Sequence, residues 1–296
     1  MPLLGELSAL LTAILWSATS MLFAAAAIRI GSTQLNVTRQ LFAIIILGLI
    51  ILLFQIDFSL SGSQIFNLAV SGLFGLAFGD SFLFKAYQQI GARVSMLIMS
   101  SAPIISALLA YFVLKEILFF WGIVGMLITI CGIALVVLER NEKDKSSKKH
   151  NYTGIIFGFL GAAGQGAALI FAKFAFNEGS INGLIATIVR LISSIIILFP
   201  IVLLLGKFKN PIKTFQKDTK ALTLTIGGSI AGPVLGITFS LIAIANTKVG
   251  IAATIMGTVP VIMLPLVKYF YKEPLSWRAI LGAFITVLGV AILFLR

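Results

Sequence analysis

The sequence predicts an all-α membrane protein whose ten transmembrane helices form two inverted five-helix repeats. Three observations predict it. First, the 296-residue chain is 59% hydrophobic and only 11% charged, with a mean hydropathy of +1.09. Soluble domains carry about 25% charged residues, so this chain has too little polar surface to face water. Second, ten segments meet the requirement of about 20 apolar residues for a span: 5–28, 35–55, 66–87, 92–113, 117–138, 153–175, 182–205, 221–245, 249–271 and 275–295. Third, the stretch from Met96 to Leu138 reappears, shifted by 157, from Ala253 to Leu295, with 15 of 43 positions identical. The same shift pairs Gly75 with Gly232 and Gly79 with Gly236.

The polar stretch ERNEKDKSSKKHN, residues 139–151, separates five spans from five. The expected domains are therefore a first repeat at 1–138, a linker at 139–151 and a second repeat at 152–296. Five is odd, so the second copy enters the membrane from the opposite side and lies inverted. Inverted repeats are a recurring plan of secondary transporters, whose solute site sits near the midplane between the copies.

Composition excludes several function classes. The net charge of +12 would point to nucleic acid in a soluble protein; here it is explained by basic loops on the cytoplasmic side, and no nucleic-acid partner is expected. Of 22 Lys and Arg residues, 17 fall at the odd-numbered loops and adjoining helix ends, which puts the linker in the cytoplasm and both termini outside. Cys131 is the one cysteine and His150 the one histidine, too few for a disulfide, a metal site or a nucleophile–histidine pair. No cofactor and no enzyme activity are expected. The N-terminal apolar run is too long for a signal peptide and lacks a basic flank.

Taken in chain order, the first span carries Trp16 at its centre, away from the interface that tryptophan prefers. The second carries Arg39 near its start. The third carries Asp80, Phe84 and Lys85 together with Gly72, Gly75 and Gly79. Intramembrane charges usually face a partner or a cavity. Asp80 and Lys85 are five residues apart, about 140° around a helix, so Arg39 is the better partner for Asp80. Two roles stay open for that carboxylate: a structural pair with Arg39, or a substrate-facing or proton-titrating group. Lys85 is grouped with them as a possible ion-pair member that can also snorkel to the interface.

Span four contains Met96, Met99, Ser100, Ser101 and Pro103, and span nine repeats the pattern with Thr254, Met256, Gly257, Thr258 and Pro260. Span six places Gln165 among small residues, overlaying Trp16 approximately. Span seven carries Arg190 where span two carries Arg39; its guanidinium suits a solute carboxylate or a structural role. The five lysines between Gly206 and Lys220 form an exposed loop near anionic lipid. Pro103, Gly232-Pro233, Pro260 and Pro265 are expected to kink their spans. The substrate-binding candidates are thus Trp16, Asp80, Phe84, Met99, Gln165, Arg190, Thr254 and Met256, with a structural ion pair as the alternative for Asp80, a structural or snorkelling role for Arg190, and packing for Trp16, Gln165 and the Met99, Thr254 and Met256 stripe.

The run GDSFLFKAYQQIGARVSMLIMSSAPIISALLAYFVLKE resembles the third and fourth helices of the EamA family of the drug/metabolite transporter superfamily, with its Ala-Tyr-x-x-Ile-Gly-Ala stretch, mid-helix proline and Lys-Glu pair. Trp16 matches that family's frequent first-helix tryptophan. The second copy departs from the pattern, with Gln165 near the tryptophan position. The resemblance implies a transporter of small organic metabolites, amino acids or related polar solutes among them, often exporting them through the cell membrane as a monomer or homodimer in contact with membrane lipids. A flippase for an amphipathic molecule and a non-transporting membrane scaffold are the alternatives.

Overall fold

A computed structural model describes residues 3–114, 119–143, 152–246, 252, 255–272 and 274–294. Among the described residues the chain is helical and contains no strand. Helices α1 (Leu4–Ile30) and α2 (Ser32–Leu53) are followed by α3 (Gly62–Gly72), a π-helical segment (Leu73–Gly79) and α4 (Asp80–Met99). Then come α5 (Ala102–Leu114), α6 (Phe120–Lys143), α7 (Tyr152–Asn177), α8 (Gly183–Leu204) and the short α9 (Pro211–Lys217). A second run of α10 (Thr219–Ser229), a π segment (Ile230–Gly236) and α11 (Ile237–Asn246) precedes α12 (Val259–Phe270) and α13 (Trp277–Phe294).

Seven of these helical runs are long and apolar enough to cross a membrane, and three shorter ones are also apolar. The chain is built inside out relative to a soluble protein. On α2, Ile45, Leu49, Leu52 and Leu53 face outward, while Gln34, Asn36, Thr38, Arg39 and Gln40 are buried. In lipid this is the arrangement that keeps polar groups satisfied. Buried hydroxyls are absorbed the same way: Thr12, Thr129 and Thr286 each donate to the carbonyl four residues back, so they cost little in an apolar helix. Side-chain caps hold the loop-facing ends. Ser61 and Gln64 form a capping box at α3, and Asn210 caps α9 with Pro211 at its first turn.

The run from Gly62 to Met99 would span about 57 Å as one helix, nearly twice the bilayer core of about 30 Å. Gly91 breaks it, with φ 75° and ψ 167°, a conformation that glycine reaches without a Cβ penalty.

The helices pack in antiparallel pairs that mirror one another between the two copies. On α6 and α13, Gly132 faces Thr286 and Gly282, Gly289 faces Thr129 and Gly125, and Gly282 faces Val136. Residue numbers rise on one helix as they fall on the other, so the two run in opposite directions. The contacts also map onto each other under the shift of 157, the mark of a two-fold relation. On α1 and the α10–α11 run, Phe23 faces Gly228, Thr19 faces Gly232 and Trp16 faces Gly236. On α7 and the α3–α4 run, Ala168 faces Gly75, Gln165 and Gly161 face Gly79, and Gly154 faces Ile90. Each pairing also carries one hydroxyl bond, with donor and acceptor exchanged between the copies: Thr19 Oγ1 on α1 donates to Gly228 O at 2.8 Å, whereas Ser71 Oγ, 157 residues before Gly228, donates to Ala168 O at 2.7 Å.

The irregular points are shared as well. The two π segments are seven residues each and lie 157 apart. The turn at Ser100-Ser101 before α5 matches the turn at Gly257-Thr258 before α12. These correct the expectation of simple proline kinks. Pro103 and Pro260 stand at the starts of new helical pieces, where a missing N–H costs nothing. The first π segment forms with Leu76 where the second has Pro233, so proline is not what makes it. Two local details differ from expectation: the start of the polar stretch is helical, since α6 continues to Lys143, and the lysine-rich connection contains α9 rather than being loop throughout.

Candidate functional site

The first π segment positions the site. Its wider turn leaves two carbonyls in reach of side chains from neighbouring helices. Leu76 O accepts from Asn36 Nδ2 at 3.1 Å and from Gln40 Nε2 at 3.4 Å, and Gly75 O accepts from Gln165 Nε2 at 3.2 Å. Asp80 is the residue at which the π segment hands over to α4.

Asp80 is engaged at both oxygens. Arg39 Nη2 lies 2.5 Å from Oδ2, and Gln165 Nε2 donates to Oδ1 at 2.9 Å. Arg39 also donates from Nε and Nη2 to Asn36 Oδ1 at 3.0 and 2.8 Å. Asn36 passes its own amide hydrogens to Ser81 Oγ at 2.8 Å and to Leu76 O. The guanidinium is covered by Phe84 and Phe23, whose ring centres lie 4.9 and 5.6 Å from it, a cation–π cover that replaces water. Arg39 is 2% exposed and Asp80 is 7%. Such a buried pair is tolerable only because hydrogen bonds occupy its remaining donors and acceptors.

Arg190 approaches the same carboxylate from the other copy. It is 8% exposed and lies within electrostatic reach of Asp80. A Cβ placed on Gly75 would sit 3.2 Å from Arg190 Nη2 and 3.3 Å from Gln165 Oε1, so glycine at that position is what lets both side chains in. Gly72 makes the helix contact behind them: a Cβ there would lie on the backbone carbonyl of Arg190. Among the described residues, Arg190 Nε and Ser194 Oγ are buried without a hydrogen-bond partner.

The structure thus brings together Arg39, Asp80, Phe84, Gln165 and Arg190. Lys85 is not part of the ion pair, a correction that its angular offset from Asp80 explains; its ammonium lies over Phe82 and Phe157 at 5.0 and 5.3 Å. Trp16 and Met99 are partly buried beside the neighbouring cluster of Phe23, Phe84 and Met263. Trp16 packs on Gly236 as Gln165 packs on Gly79, so the two occupy corresponding places. Met256 is buried with Ala9, Ala243 and Ala252, away from the charges. Thr254 lies outside the described residues. Asn36, Gln40 and Ser194 are site residues that sequence reasoning passed over. Their signal was available: Asn36, Arg39 and Gln40 are spaced i, i+3, i+4 on one face of an apolar helix, and Ser194 is one turn beyond Arg190.

Comparison with known proteins follows the same division into two copies. The sequence model of the EamA-like transporter family matches residues 3–138 and again 152–295. A solved crystal structure is similar in fold, with a TM-score of 0.65 at 16% sequence identity, covering 98% of this chain and 94% of that one. No curated protein sequence matches the chain.

Proposed function

The chain belongs to the EamA-like transporter family, and from that premise we propose that it is a secondary carrier that moves a small organic metabolite across the cell membrane by alternating access. The observation that carries this reading is the sharing of irregularities between the copies. Each copy has a π segment and a broken helix at corresponding positions, and the charge cluster lies where the copies meet. Two alternative packings related by the internal symmetry give one protein an inward-open and an outward-open form at equal cost in contacts.

The proposed count is ten spans. The break at Gly91 divides Gly62–Met99 between the third and fourth, and α12 and α13 supply the cores of the ninth and tenth. The first repeat covers 1–138 and the second 152–296, with the intervening linker on the cytoplasmic side. The loop contacts support this order. Arg29 pairs with Asp218 at 2.7 Å, joining the first and seventh connections. Ser61 and Ser63 donate to Glu178 at 3.0 and 2.5 Å, joining the second and sixth. Odd connections meet odd, and even meet even. Within the site, Arg39 and Asp80 fix the meeting point of α2 and α4, and Gln165 and Arg190 face the solute. The direction we propose is export.

Flux assays in proteoliposomes test the proposal. Vesicles holding the purified chain are loaded with labelled amino acids and related polar metabolites. Efflux of at least one solute, absent from protein-free vesicles, is the expected outcome; no flux of any solute counts against a carrier.

A further inference from the structure

Both copies place an arginine at the eighth residue of the corresponding helix, Arg39 on α2 and Arg190 on α8, but only the first copy supplies a carboxylate at the position of Asp80. Asp80 in the first repeat corresponds to Ile237 in the second, 157 residues on. Both Asp80 oxygens are taken, by Arg39 and by Gln165. Two guanidiniums therefore share one carboxylate, and the cluster carries a surplus of one positive charge. The surplus is localised by hydrogen bonding. Arg190 Nε has no partner among the described residues, and neither does Ser194 Oγ. These two donors lie four residues apart on one face of α8. A buried guanidinium with an unbonded Nε and only a shared counter-ion, and a buried, unbonded hydroxyl, are both costly in a bilayer, and donors without acceptors are what an anion requires.

We infer that Arg190 and Ser194 form the subsite for a carboxylate carried by the transported solute. Resting on the carrier reading above, this narrows the substrate class to solutes with a free carboxylate. The charge count favours a monoanion: one negative charge neutralises the cluster, whereas a phosphate dianion would leave it negative. Arg190 and Ser194 are one helical turn apart on α8, and a guanidinium–carboxylate hydrogen bond is charge-assisted.

The second copy's missing carboxylate supplies the test. Ile237 packs against the two apolar clusters that include Ile188, Val189 and Leu191, the sequence neighbours of Arg190. Thermal unfolding is compared for the purified, solute-free Ile237→Asp and Ile237→Asn variants. If Arg190 lacks a counter-ion, Ile237→Asp melts higher than its neutral isostere; if Ile237→Asp melts lower, the inference is overturned whatever the protein transports. In a second arm, the native chain is melted with paired solutes that differ by one negative charge: N-acetyl-leucine and N-acetyl-leucinamide, N-acetyl-phenylalanine and N-acetyl-phenylalaninamide, benzoate and benzamide. The expected result is stabilisation by a carboxylate member and not by its amide, with apparent affinity reduced at least tenfold in Arg190→Gln and in Ile237→Asp. Equal stabilisation by the amide, or by sodium chloride at the same concentration, overturns the assignment. A failed flux assay with a passing Asp-over-Asn comparison would reject the carrier and leave the anion subsite standing.

Discussion

Arg39 Nη2 sits 2.5 Å from Asp80 Oδ2, where α2 meets the end of the first π segment. Removing Asp80 strands Arg39 in the bundle interior, and removing Arg39 leaves Asp80 with Gln165 and the shared Arg190; breaking a buried pair costs about 3–5 kcal/mol. Arg39→Gln and Asp80→Asn should each lower the unfolding midpoint in detergent sharply. The double variant should cost less than the sum, because Arg39 and Asp80 are then removed together and neither is left without the other. Strict additivity would show that the pair is not coupled.

Gly72 is expected to tolerate no side chain. A Cβ there falls on the carbonyl of Arg190, and backbone cannot swing aside as a flexible side chain can. Gly72→Ala should cost about 3 kcal/mol, at the upper end of overpacking. Gly48 has nothing within 4 Å of its Cβ position, so Gly48→Ala should be neutral or better. Unfolding of the two variants side by side checks this; equal effects would mean that α3 and α8 are not in close contact.

The two interhelical hydroxyl bonds make a stability prediction. Thr19→Val and Ser71→Ala each remove one buried donor to a backbone carbonyl, and each should lower stability by about 1 kcal/mol, read from the unfolding midpoint in detergent. No loss in either variant would show that the bond it removes does not hold its two helices together.

Asp218 gives a pH prediction outside the bilayer. It accepts from Arg29 and caps the Ala221 amide, and these contacts hold its carboxyl below the usual carboxylate range. A depressed folded-state value contributes stability above the unfolded value, near 3.8, and loses it as pH falls through the folded one. Asp218→Asn should therefore flatten the acid limb of stability below about pH 4. The pair is exposed, so the change is small and should vanish in high salt.

Much of this was legible in the sequence. Apolar runs located the helices because lipid demands length and composition together, and the offset of 157 carried the pairing of Gly75 with Gly232 and of Pro103 with Pro260. The proximity of Arg39 and Asp80 could be read from angular spacing. The π segments could not. LFGLAFG and IAGPVLG share only their glycines, and the shift from α to π bonding depends on what α1, α2 and α7 press against those turns. Asn36 and Gln40 were passed over because they lie near the start of a span, where polar residues usually face headgroups; here both are buried. The unpaired state of Arg190 depends on the absence of a carboxylate at 237, which becomes informative only once Arg39 and Arg190 are known to face one Asp80.

The opposed orientation of the two copies is tested most directly by labelling from one side. Ser59 lies in the connection between α2 and α3, and Lys213 in the corresponding connection between α8 and α10; both are exposed. In a Cys131→Ser background, Ser59→Cys and Lys213→Cys are treated separately with a membrane-impermeant thiol reagent in sealed, oriented vesicles. Inverted copies predict that one position labels from outside and the other only after the membrane is opened. Labelling of both from the same side would contradict the account.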